Sequence, residues 1–152
     1  MIIELQKRMN VLDSRLDYNQ KRFFNLKSVR NFLIYYDKLE QSNKPIVEKL
    51  LKEYFEIMED EDCSIDKKTS TRIAFDYIFK IGKYYTVDVG FKVRMTLRST
   101  IVIGMLMDFL LFFSGILKKV YYIPIFTLIM LCNWGYLKIF YENKNKVFGL
   151  RY

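Results

Sequence analysis

The sequence predicts an all-α protein: a helical domain over residues 1–90, followed by a two-helix transmembrane hairpin. Three observations predict it. Two long apolar runs fill the last third of the chain. Before them, apolar side chains recur at helical spacing. Six Gly and two Pro among 152 residues leave little for the turns of a sheet protein.

In the first helix Ile2, Leu5, Met9, Leu12, Leu16, Phe23, Leu26 and Leu33 follow a 3,4 spacing, with Asn19 and Arg30 as polar interruptions. This heptad pattern predicts one long helix. Its front is coiled-coil-like, with Leu5, Met9, Leu12, Leu16 and Asn19 as an oligomer seam. Beyond Lys21 its apolar face widens through Phe24, Val29, Phe32 and Tyr35, which suits packing into a bundle. Asn19 either pairs with its counterpart at the seam or faces solvent where the helix leaves it. Arg30 reads as a snorkelling surface residue.

A break follows at "EQSNKP", where Ser42 or Asn43 can cap a second helix and Pro45 fits its first turn. That helix presents Ile46, Leu50, Tyr54, Ile57 and Met58 on one side. It ends in "EDEDCSIDKKTS", where Asp60, Asp62, Ser64 and Asp66 have the alternating oxygens of a calcium loop. Ile65 stands where such a loop needs glycine, and Thr71 where it needs a bidentate Glu, so the stretch reads as a solvated loop. A third helix begins near Thr71, with Ile73, Ala74, Tyr77, Ile78 and Ile81 inward, and Gly90 permits a bend into a basic elbow over residues 91–98.

The first apolar run is Ser99–Leu117 and the second Val120–Tyr141, so the hairpin occupies 99–141 with its turn at 118–119 and a short tail over 142–152. Each run can cross about 30 Å of hydrocarbon at about 1.5 Å per residue. Pro124 falls in the first turn of the second run, where its missing N–H matters little. Lys80, Lys83, Lys92, Arg94 and Arg98 precede the hairpin, and Lys138, Lys144, Lys146 and Arg151 follow it, against only Lys118 and Lys119 at the turn. Both termini are therefore expected on the cytoplasmic side of a bacterial inner membrane, or the interior side of an organelle membrane. Tyr121 and Tyr122 mark the outer interface, and Trp134, Tyr136 and Tyr141 the inner one.

Charge and composition exclude several classes. Residues 1–90 carry 16 basic and 15 acidic residues, a net +1, whereas 91–152 carry 9 and 2, a net +7. The excess flanks the apolar runs, where Lys92, Arg94, Arg98, Lys138, Lys144 and Lys146 meet anionic headgroups; no basic stripe on the soluble part invites nucleic acid. Histidine is absent, which removes Ser-His and Cys-His catalysis and imidazole metal sites. Cys63 and Cys132 form no disulfide framework. No cofactor or metal is expected, and Asp88 and Glu142 are the only acids near the interior interface that a lipid-directed enzyme could use.

Asp108 is the anomaly. It lies ten residues after Arg98 and ten before Lys118, about 15 Å from either flank and too short to snorkel. Three arrangements make it tolerable: protonated and hydrogen-bonded within the hairpin, paired with a polar or basic residue of another subunit, or lining a cation-conducting pore in a ring of copies. Mirroring the hairpin about Lys118-Lys119 sets Asp108 level with Ile129, Thr127 within about half a turn, and Asn133 about a turn away. Gly104, Gly115 and Gly135 provide lean surface for helix packing beside it. The expected function is non-catalytic: a membrane anchor, scaffold or subunit whose helical domain binds other proteins. The alternative is a homo-oligomeric pore lined by Asp108.

Overall fold

The structure is a computed structural model that describes residues 2–60, 66–114 and 124–149. It is mostly helical. The long first helix, however, is three: α1 (Ile2–Arg15), α2 (Tyr18–Phe23) and α3 (Leu26–Ile34). Asp17 stops the first by starting the second. Its carboxylate accepts the Gln20 N–H at 2.7 Å while the Gln20 side chain accepts the Asp17 N–H at 2.9 Å, a reciprocal cap. Asn25, buried with a left-handed φ of 56°, separates α2 from α3.

The broken helix folds back, and its heptad residues are consumed inside the chain. Leu5, Met9, Leu12 and Leu16 lie in the head's own core, so they form no exposed seam, and Asn19 stands exposed on α2. The core is completed by α4 (Lys44–Asp60), which buries Val47, Leu51, Tyr54, Phe55 and Met58. Its deepest stripe is displaced from the predicted one, leaving Ile46 exposed and Leu50 and Ile57 at the margin. The Tyr54 hydroxyl donates to the Phe24 carbonyl at 2.6 Å and is fully buried, which raises its pKa.

Asp66 caps α5 (Lys67–Ile73) by accepting the Thr69 N–H at 2.8 Å; residues 61–65 of the candidate calcium loop lie outside the described residues. A π turn (Ala74–Ile78) joins α5 to α6 (Phe79–Val89), and Ile73, Ala74, Ile78, Ile81 and Tyr85 face inward. The Tyr85 ring stacks on Phe32 at 4.8 Å, and its hydroxyl donates to the Phe32 carbonyl at 2.7 Å. Gly90 ends α6 with φ 78°, and the Phe91 N–H returns to the Tyr85 carbonyl at 3.1 Å.

The chain then forms β1 (Lys92–Val93), leaves the head as α7 (Leu97–Ser114), and returns as α8 (Ile125–Tyr136), prolonged by a π turn over Leu137–Glu142. It ends the described region in β2 (Val147–Phe148), parallel to β1, with the Lys92 N–H on the Lys146 carbonyl at 3.0 Å and the Arg94 N–H on the Phe148 carbonyl at 2.8 Å. The segment read as a tail is thus part of the core. Val147 and Phe148 are buried, Asn31 donates to the Val147 carbonyl at 2.8 Å, and Phe148 packs on Phe32 and Phe79. The helices α7 and α8 pack along each other as a hairpin rooted in the head by β1 and β2.

Candidate functional site

Hydrophobicity alone does not choose which face of α7 turns toward α8, because that helix is apolar on every side. Size and polarity choose it. Thr100, Gly104 and Asp108 recur at every fourth residue and form one stripe, and they are the buried residues of α7. Thr100 returns its hydroxyl to the Thr96 carbonyl at 3.0 Å, satisfying it within its own helix.

At Gly104 the two helices touch backbone to backbone. A Cβ there would lie 2.7 Å from the Thr127 Cα and 3.0 Å from its hydroxyl oxygen, so only glycine admits this approach. One turn further, Asp108 meets the start of α8. One carboxylate oxygen accepts the Phe126 N–H at 2.9 Å; the other accepts the Thr127 N–H at 2.9 Å and the Thr127 hydroxyl at 2.6 Å.

These are the second and third N–H groups of α8, which have no acceptor within the helix. An N-cap side chain ordinarily takes them, but the residue at that position is Pro124, which has no side-chain acceptor. Asp108 therefore caps the neighbouring helix from α7, its side chain taking the place of an N-cap acceptor at the start of α8. The acid in the apolar run is bound within the hairpin, to the partner that proximity favours, Thr127.

The level of this contact differs from the mirrored hairpin. Asp108 faces Phe126 and Thr127 rather than Ile129, because the unsatisfied donors sit where α8 begins, directly after Pro124. Asn133 is exposed and takes no part in the polar centre, and Gly135 faces open space, so neither joins it. Gly115 and the turn at 118–119 lie outside the described residues.

The basic residues divide into two groups. Lys92, Arg98, Lys138 and Lys144 are exposed. Arg94 and Lys146 are half-buried and are held by the head and the hairpin's base. Arg94 pairs with Glu142, which also binds Lys27 of α3 at 2.7 Å, and its guanidinium lies 5.2 Å from the Trp134 ring. Lys146 donates to the Val89 carbonyl at 3.1 Å and lies over Tyr35. The short ladder and this charged knot fix the hairpin's base to the head. Of the two acids near the interior interface, Glu142 is held by Arg94 and Lys27, and Asp88 accepts the Glu40 N–H at 3.0 Å and the Asn43 side chain at 2.9 Å.

The C-terminal strand carried only a faint sequence signal, two apolar residues within a basic segment. The helix-capping role of Asp108 carried a stronger one, Pro124 three residues before a threonine. Comparison with family models, with curated proteins and with solved structures finds no match to this chain.

Proposed function

We propose that the chain is a non-catalytic two-pass membrane protein whose helical head works as a subunit, anchor or scaffold of a larger membrane assembly. One observation carries this reading: among the described residues one helix is long and apolar enough to cross a membrane, Leu97–Ser114, and nearly all of its apolar surface is uncovered. Met105, Phe109, Phe112 and Phe113 are all more than half exposed, reaching 69 % at Phe113. Ile129 and Phe140 continue the exposed surface on α8 and the π turn that prolongs it. Water does not tolerate a patch of this extent; lipid or an apolar partner does.

The helix that returns along α7 supports a second crossing in this reading, and the basic residues at the root support a cytoplasmic side for the head and both ends. The geometry of Asp108 disfavours the pore. Turning that carboxylate to a lumen strands the Phe126 and Thr127 N–H groups in a medium that offers them nothing.

Purification of the full chain in mild detergent, followed by mass analysis, tests the reading. Unlike chains in fixed ratio are expected. A ring of identical chains whose conductance changes in Asp108→Asn overturns it in favour of the pore.

A further inference from the structure

Where α7 leaves the head, a cleft of about 700 Å³ opens between α2, α5, α6 and the first turns of α7. Arg22, Lys67, Arg94 and Arg98 reach it from four separate segments, and among the described residues that line it there is no carboxylate. Its remaining wall is apolar. Phe75 and Phe79 stack at 5.1 Å, with Phe75 59 % exposed, and Met95 and Ile103 extend the surface onto α7. Thr96, Arg98 and Ser99 bring the positive end of the α7 dipole to the same place.

Cations and bare aromatics in one cleft call for a ligand that is anionic at one end and apolar at the other. We infer that this cleft binds one acidic glycerophospholipid, its phosphate among Arg22, Lys67 and Arg98 and its acyl chains along Phe79 and Ile103 down the outside of α7. This rests on the membrane reading above and makes it specific, because diffuse attraction to a charged surface needs no cleft. A free phosphate shares the head-group chemistry but leaves the Phe75–Phe79 wall in water, so the lipid is the occupant that uses the whole site.

The test is native mass spectrometry of the full chain in detergent, titrated with phosphatidylglycerol or with phosphatidylcholine. A one-to-one adduct that favours phosphatidylglycerol is expected. Lys67→Gln and Arg98→Gln should each reduce the preference about fivefold, whereas Lys49→Gln and Lys52→Gln, on the exposed face of α4, should leave it intact. Equal adducts with the two lipids, or a preference unchanged by the cleft variants, overturn the inference. Displacement of phosphatidylglycerol by inorganic phosphate at comparable concentration overturns the lipid as occupant. Vesicle flotation separates the two readings: a chain that floats with phosphatidylcholine but shows no phosphatidylglycerol preference loses only the cleft. A chain that stays in solution without detergent and does not float loses the membrane reading as well.

Discussion

The head and the hairpin are built from the same chemistry turned inside out. In the head, Phe24, Phe32, Tyr54, Phe55 and Phe91 are buried, while charges such as Arg30 and Lys49 face outward. In the hairpin the buried residues include Thr100, Asp108 and Thr127, and the phenylalanines face outward. The two regions hide opposite chemistries, the head its aromatic and aliphatic side chains and the hairpin its polar ones. Two acids make the contrast concrete. Asp66 and Asp108 both accept N–H groups at the start of a helix; the first does so in the open and the second in the buried seam between two apolar helices.

The comparison breaks most decisively at the point where the regions join. Phe148 fills the head from the far side of the hairpin, beneath the Gly82 backbone and against Phe32 and Phe79. Phe148→Ala should destabilise the head by about 3–5 kcal/mol, read as a lowered midpoint in denaturant unfolding in detergent. An unchanged midpoint would mean that the head closes without the returning strand.

Within the hairpin, Asp108→Asn keeps one carbonyl acceptor where the carboxylate offered two oxygens. At least one donor at the start of α8 is left unpaired, at about 1–3 kcal/mol, detectable as a loss of thermal stability in detergent. The same exchange at Asp66 should change little at neutral pH, because Asn caps nearly as well as Asp.

The smallest effect is one of pH. The hydrogen bonds from Thr69 hold the Asp66 carboxyl below its usual pKa. Its contribution is therefore complete above the ordinary carboxylate range and fades as pH falls toward the depressed folded value. Acid titration of unfolding should show this shallow component in the wild type and lack it in Asp66→Asn.

Much of this organisation was legible because it depends on local pattern. Apolar length marked the α7 run, and proximity across the turn nominated Thr127 as the partner of Asp108. The head was harder. A heptad count passes through Asp17 and Asn25 without registering that one forms a reciprocal cap and the other adopts left-handed backbone, yet those two residues turn a rod into a folded core. The Val147–Phe148 strand is too short for any period and pairs with residues more than fifty positions away. Nothing local encodes that. Mirror symmetry also misjudged the level of Asp108, since a carboxylate settles where unsatisfied donors are rather than at equal distance from a turn.

The ladder between β1 and β2 also sets an order in time. Val147 and Phe148 leave the ribosome only after both hairpin helices have been made, and until they arrive the aromatic cluster around Phe32 stays open. Such a late, non-local closure makes the head's completion contingent on the hairpin having brought the chain back to its starting point. Until the hairpin brings the chain back, the core lacks the Phe148 ring that packs on Phe32 and Phe79. In this way the parallel pair ties completion of the head's core to the return of the chain.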